Sequence, residues 1–226
     1  MFDNNWDLIN GGDAHDIEVL NQSSVANLIE AVVRFLRHHD KTPGVECAIC
    51  PDQGFLKELH RTGTLLLLAA PGSYRDCQVY VGRRDGAVFQ PPMAADVPSH
   101  MNELEGRLKE LWVTTDAIGV AAYALWRINW VHPFKNGNGR TARAFAYACV
   151  CLKFGGMLPG SVTMIDLITN SRDEYEAALG HADRTFAEAG EADLGPLNTY
   201  VEGLIREQLM SALNSAEVPA LEAANA

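Results

Sequence analysis

The chain has 226 residues, of which 47% are hydrophobic and 21% are charged, and its formal net charge is −11. A chain of this length can bury a substantial core in one compact domain, and this composition excludes disordered and fibrous proteins. The 29 acidic residues against 18 basic ones argue against nucleic acid or an anionic membrane as a partner, because both require a basic surface.

The first half of the chain predicts two helices and one hairpin. Residues 1–16 are polar and are interpreted as an irregular arm. Apolar residues recur at helical spacing in Ile17–His39 and again over about 55–68. Residues Cys77–Phe89 alternate in polarity around Arg83–Gly86, whose Asp-Gly pair is typical of a β-hairpin turn.

The second half of the chain predicts helices alone. One segment, Asp116–Trp130, is apolar almost all round and is therefore expected to be a buried central helix. The expected fold class is all-α with one small hairpin, divided into an N-terminal arm and helix (1–50), a main domain (51–213) and a flexible tail (214–226). The predicted helices of this half are Ser99–Trp112, Asp116–Trp130, Gly139–Phe154, Ile165–Gly180 and Leu197–Leu213.

No targeting segment is recognisable in the sequence, and the longest apolar run, Leu65–Ala70, is too short to span a membrane. Five cysteines, an odd number, do not indicate a disulfide framework. A cytoplasmic protein is expected, with a secreted effector left open. His38, His39 and His60 are interpreted as helix-surface or capping residues, and Cys47-x-x-Cys50 as packing rather than half of a zinc site.

One interval carries a charge opposite to that of the chain. No acidic residue lies between Asp116 and Asp166, whereas five basic residues do. A buried helix pair with a few solvated bases is one interpretation. An anion-binding site is the other. The five basic residues are Arg127, Lys135, Arg140, Arg143 and Lys153.

The centre of this interval has the features of a phosphate site. Gly137-Asn138-Gly139 tolerates positive φ angles, so that successive backbone N–H groups can converge on an anion. A helix is predicted to follow, and its N-terminus adds free N–H donors and the positive end of its dipole. Arg140 and Arg143 share one face of its first turn, where they oppose the dipole unless a polyphosphate is bound.

His132 lies at the entrance of the same loop. A histidine before a proline is often only structural, but beside a phosphate site it can act as a general base because its pKa lies near neutrality. A phosphate clamp with an adjacent base predicts phosphoryl or nucleotidyl transfer to a hydroxyl.

These residues resemble a known family. His132–Arg143 is similar to the Fic signature, His-x-Phe-x-(Asp/Glu)-Gly-Asn-Gly-Arg-x-x-Arg, at every specified position except Asn136. Gly72–Arg75, Val79–Val81 and Phe89–Pro92 resemble the segment that carries the family's target-docking hairpin, the flap. The likeness covers about residues 55–210 and implies a Fic-type helical bundle.

The resemblance implies transfer of AMP from ATP to a Ser, Thr or Tyr hydroxyl of a target protein. His132 would then be the catalytic base, and the target would dock along the flap. The remaining implied site residues are Gly137, Asn138, Gly139, Arg140 and Arg143 for the phosphates, and Val79, Tyr80 and Val81 for docking.

Asn136 is the one departure from the signature, since the family has Asp or Glu there as a Mg²⁺ ligand. An amide oxygen can bind Mg²⁺, but without the attraction of a charge. Asn136 is therefore the candidate metal ligand, with loop capping as its other interpretation. Two further functions stay open: a Fic fold that binds nucleotide or a partner without turnover, and transfer of another phosphate-linked group.

The family's inhibitory motif, (Ser/Thr)-x-x-x-Glu-(Gly/Asn), has no strict match in the sequence. Neither Ser23 nor Ser24 has the required spacing from Glu30, and Glu202-Gly203 has Asn198 in place of the hydroxyl residue. A separate inhibitor protein or a degenerate inhibitory helix stays open.

Overall fold

A computed structural model describes residues 6–39, 50–82, 86 and 88–224, and for 37–39 and 214–224 it describes the backbone alone. Helices dominate these ranges and one two-stranded antiparallel hairpin accompanies them, so the all-α prediction with a small hairpin is confirmed. The helices are α1 (Gly12–His39), α2 (Gln53–Gly63), α3 (Val97–Thr114), α4 (Ala117–Val131), α5 (Asn138–Phe154), α6 (Met164–Asn170), α7 (Arg172–Ala189) and α8 (Gly195–Ala224).

Helices α4 and α5 form the centre of the molecule. Helix α4 packs against α3, α5, α7 and α8, which explains why its sequence is apolar almost all round. Alanines on the two central helices, among them Ala121 and Ala146, are fully buried. Their small side chains permit close approach of the two helix axes. The loop between α4 and α5 is therefore held by two buried helices.

Several predicted helix ends were wrong. The predicted helix Ile165–Gly180 is two helices separated at Ser171, whose backbone N–H and hydroxyl both donate to Leu167 O. Helix α2 ends at Gly63 rather than near residue 68, because the chain turns there through Leu66 with φ of 63°. Helix α3 begins at Val97 rather than at the predicted cap Ser99.

The terminal segments also differ from the prediction. Helix α1 begins at Gly12, inside the stretch expected to be an irregular arm. Helix α8 continues through the predicted tail to Ala224, eleven residues past the expected end at Leu213. The 214–226 tail is thus helical over most of its length.

The hairpin consists of β1 (Val81–Gly82) and β2 (Val88–Phe89), with Val81 paired to Phe89 and Gly82 to Val88. Its ladder is shorter than the predicted run Cys77–Phe89. Arg83–Asp85 of the predicted turn lie outside the described residues. In the described part of the chain, no helix is long and apolar enough to cross a bilayer.

Candidate active site

His132 ends helix α4 in the left-handed conformation, with φ of 51°, which directs the chain into the loop before α5. Arg75 holds this turn, since its Nε donates to His132 O at 2.8 Å and its backbone N–H donates to Pro133 O at 2.8 Å. The Arg75 guanidinium also donates to Pro92 O at 2.6 Å. It thereby ties the catalytic-base candidate to the segment that follows the hairpin.

The hydrogen bond of His132 to Asn129 O determines which ring nitrogen carries the proton. Its Nδ1 lies 3.3 Å from Asn129 O, and because a carbonyl can only accept, Nδ1 carries the proton and Nε2 keeps its lone pair. Burial, together with the nearby positive charge of Arg75, lowers the pKa of His132 to about 4. The ring is therefore neutral at physiological pH, with Nε2 able to accept a proton.

Asn138 holds the loop together from inside. Its Oδ1 accepts from Phe134 N–H and its Nδ2 donates to Phe134 O, both at 2.8 Å, and the side chain is only 2% exposed. Phe134 is fully buried. The side chain of Asn138 is thus occupied by the loop backbone, which differs from the direct phosphate contact implied by the resemblance.

The predicted phosphate nest has the expected backbone. Gly137 precedes α5 with φ of 77°, and a Cβ there would lie 2.9 Å from Thr64 Cγ2, so only glycine fits. The first helical hydrogen bond of α5 runs from Thr141 N–H to Gly137 O. The N–H groups of Asn138, Gly139 and Arg140 precede that bond, as anion donors at a helix start do.

Arg143 is the unusual side chain of the site. Its Nη1 lies close enough to Gly139 that a Cβ on Gly139 would be 3.5 Å from it, so the guanidinium reaches back toward the start of α5. Its Nε is buried without a hydrogen-bond partner, and no residue in the described ranges forms an ion pair with it. A half-buried cation with a buried, unpaired N–H is costly unless an anion compensates it.

Arg140 does have a protein partner, which sequence reasoning missed. Glu18 of α1 forms an ion pair with Arg140 at 2.7 Å and accepts from Trp6 Nε1 at 2.9 Å. The Trp6 ring lies 4.9 Å from the Arg140 guanidinium. Asp7, the next residue, bonds Lys135 at 2.8 Å. The segment around Trp6 therefore lies across Lys135 and Arg140.

Glu30 and Glu202, the two glutamates compared with the inhibitory motif, do not contact the arginines of the candidate site. Glu30 pairs with Arg34, and Glu202 pairs with Arg206, each within its own helix. Neither pair involves an arginine of the loop. Glu18, which does pair with Arg140, has Ala14 four residues before it and so does not match the family's inhibitory motif.

Asn136 uses its side-chain oxygen within the loop. Its Oδ1 accepts from Gly137 N–H at 2.7 Å, as in the loop-capping interpretation. The nearby carboxylates of Asp7 and Glu18 are paired with Lys135 and Arg140. Among the described residues, no cluster of three His, Cys, Asp or Glu could hold a metal ion. This donor set does not fit a resident Mg²⁺ site.

The predicted docking residues lie at the edge of the hairpin. Tyr80 is 66% exposed, Val79 is half-buried, and Val81 belongs to β1. A cavity of about 280 Å³ lies between the segment leading to the hairpin and the loop. Its lining includes Ser73, Tyr74 and Lys135. The structure thus brings the segment before the hairpin and the loop together at one cavity.

Comparison with known proteins agrees with this arrangement. The model of the Fic/DOC family matches residues 51–150, which contain the whole loop and both central helices down to Val150. The chain contains a Fic/DOC family domain. The protein adenylyltransferase fic-1 of Caenorhabditis elegans is 33% identical over 131 residues, which are 58% of this chain and 22% of that protein.

Solved Fic structures share the fold. A Fic family protein from Desulfovibrio desulfuricans G20 is 20% identical with a TM-score of 0.62, covering 88% of this chain and 55% of its own. A Fic domain containing signaling protein from Bacteroides thetaiotaomicron VPI-5482 is 20% identical with a TM-score of 0.63, covering 87% and 72%. The Fic fold expected from the sequence is therefore confirmed.

Proposed function

We propose that this Fic domain transfers AMP from ATP to a hydroxyl group of a target protein. The observation that carries the proposal is Arg143, a half-buried guanidinium aimed at the start of α5, whose buried Nε has no hydrogen-bond partner and which pairs with no protein anion among the described residues. A bound polyphosphate would supply the missing negative charge. Family membership and the adenylyltransferase relative favour a nucleotidyl transfer over other phosphate chemistry.

The proposed step follows from the protonation of His132. Nε2 of His132 accepts the proton of the target hydroxyl while the hydroxyl oxygen forms a bond to the α-phosphorus of ATP. The bond between the α-phosphorus and the α,β-bridging oxygen breaks, and pyrophosphate leaves with that electron pair. The first N–H groups of α5, with Arg140 and Arg143, hold the negative charge of the phosphates. Mg²⁺ enters only as the counter-ion of the ATP substrate.

Isotope placement tests the proposal directly. The protein is incubated with a cell lysate and with ATP labelled either in the α- or in the γ-phosphate. Label on protein from α-labelled ATP alone is the expected result. Label from γ-labelled ATP alone would show a kinase instead, and label from neither would leave a nucleotide-binding domain without transfer to these targets.

Glu18 competes with ATP for Arg140 in this proposal. The variant Glu18→Gln keeps the length of the side chain and an acceptor for Trp6 but removes the charge. Since a partly exposed ion pair is worth about 0.2–1 kcal/mol, we expect ATP to bind about 1.5- to fivefold more tightly by calorimetry. Glu202→Gln, which removes a more exposed ion pair with Arg206 on α8, is the control. Unchanged ATP affinity in Glu18→Gln would contradict the competition.

We propose that the target docks in extended form along the segment Val79–Val81. Tyr80→Pro removes one backbone N–H and should therefore reduce target modification at least about tenfold, with ATP affinity nearly unchanged. Tyr80→Ala keeps the N–H and separates the main-chain contribution from that of the exposed ring. Modification measured by mass spectrometry at the wild-type level in Tyr80→Pro would remove this docking mode.

A further inference from the structure

His60 is a buried histidine of α2 that the proposed reaction does not use. Its side chain has no exposed surface, so its interpretation as a helix-surface or capping residue was wrong. Its Nδ1 accepts from Gly72 N–H at 2.9 Å, and its Nε2 lies 2.9 Å from Asn136 O. A backbone N–H only donates and a carbonyl only accepts, so Nδ1 carries the lone pair and Nε2 carries the proton.

The ring of His60 also packs against two residues of the loop, Phe134 and Gly137. It stacks on the Phe134 ring with 3.7 Å between centroids and 6° between planes. Gly137 packs over it, since a Cβ there would lie 3.6 Å from His60 Nε2 and 2.9 Å from Thr64 Cγ2. The C-terminal end of α2 thus packs directly against the loop.

One peptide unit is held from both sides by these contacts. The carbonyl of the Asn136–Gly137 peptide accepts from His60, whereas its N–H donates to Asn136 Oδ1 at 2.7 Å. In a trans peptide the C=O and N–H point in opposite directions, and no described peptide is cis. Loss of the His60 donor leaves a partly buried carbonyl without this partner and frees the peptide to rotate.

We infer that His60 is a positioning residue that fixes the Asn136–Gly137 peptide and thereby sets the backbone donors at the start of α5 for phosphate. The inference rests on the proposed function for its ligand, ATP. The same ring holds Gly72, which precedes the hairpin segment. Burial lowers the pKa of His60 to about 4, so both hydrogen bonds persist at neutral pH.

Two substitutions separate the two hydrogen bonds of the ring. In His60→Gln, the amide nitrogen lies near the position of Nε2 and can still donate to Asn136 O. In His60→Asn, the amide oxygen lies near the position of Nδ1, so that only the bond from Gly72 N–H is kept. We expect His60→Asn to bind ATP about tenfold more weakly, with a parallel loss of transfer, and His60→Gln to stay within about threefold of wild type.

A remote buried amide controls for lost stability. Gln208 of α8 has no exposed surface and bonds Tyr147 OH, Leu158 O and Met164 N–H, away from the loop. Gln208→Met should lower the melting temperature and leave ATP affinity unchanged. If His60→Asn and His60→Gln lose ATP affinity equally, or in proportion to their melting temperatures, His60 is merely structural and the inference is wrong.

Hydrogen exchange of the Gly137 amide tests the inference without any ligand. We expect this N–H to exchange at least about tenfold faster in His60→Asn than in His60→Gln or wild type. Equal exchange in all three proteins would overturn the positioning role. Absence of AMP transfer in the wild-type protein would instead overturn the proposed function and leave the exchange result valid.

Discussion

Replacement of His132 by alanine is expected to lower the rate of AMP transfer about 10²–10⁴-fold while ATP affinity stays within a few fold. The rate falls because no other described group replaces Nε2 as the proton acceptor. Affinity is preserved because the imidazole is not one of the phosphate donors at the start of α5. Turnover is measured by mass spectrometry of the modified target, and affinity by calorimetry.

The low pKa of His132 in the protein without ATP suggests how the base is activated. A base with a pKa of about 4 is weak at neutral pH, but the negative charge of a bound triphosphate raises the pKa of a nearby imidazole. ATP would thus strengthen the base that it needs. His181→Ala, which affects only a partly exposed pair with Asp193, is the control, and near-wild-type turnover in His132→Ala would refute the assignment.

Replacement of Arg143 by alanine is expected to weaken ATP binding about ten- to a hundredfold and AMP binding much less. Charge-assisted hydrogen bonds contribute about 1.5–3 kcal/mol each, and the expected partner is a terminal phosphate that AMP lacks. Calorimetric titration with both nucleotides checks the difference. Equal losses for ATP and AMP would show that Arg143 does not contact the β- or γ-phosphate.

The same variant should not destabilise the free protein. Burial lowers the pKa of the Arg143 guanidinium, and the charges of Arg140 and Arg172 add to this effect, so the empty fold carries an unfavourable cation. We therefore expect the melting temperature of Arg143→Ala without nucleotide to equal or exceed that of wild type. Arg206→Ala, which removes an exposed pair on α8, should change neither property.

The parts of the site that are contiguous in sequence could be predicted. His132–Arg143 lies within one loop and one helix turn, and its residue types alone indicate a base, a glycine-rich nest and two cations. The buried character of α4 followed from its apolar sequence for the same reason. Local pattern was sufficient wherever neighbouring residues form the structure.

Contacts between distant segments could not be predicted. Glu18 pairs with Arg140 because α1 packs against α5, and no local pattern marks that glutamate. His60 resembles any histidine near the end of a helix until Asn136 and Gly72 are placed beside it. Likewise, Ser171 at the helix break contacts Tyr200 of α8, a residue outside the predicted helix Ile165–Gly180.

Two histidines, the buried His60 and the half-buried His132, also determine how this fold responds to acid. His60 and His132 have pKa values of about 4 in the folded protein, against 6.5 for an unperturbed histidine. Between these values the unfolded chain binds more protons than the folded one, so the free energy of unfolding decreases as the pH falls from about 6.5 to about 4. Protonation of His60 Nδ1 in the folded state would remove the acceptor of the Gly72 N–H, and protonation of His132 Nε2 would occupy the lone pair of the candidate base. Acid therefore acts on this protein at its candidate active site.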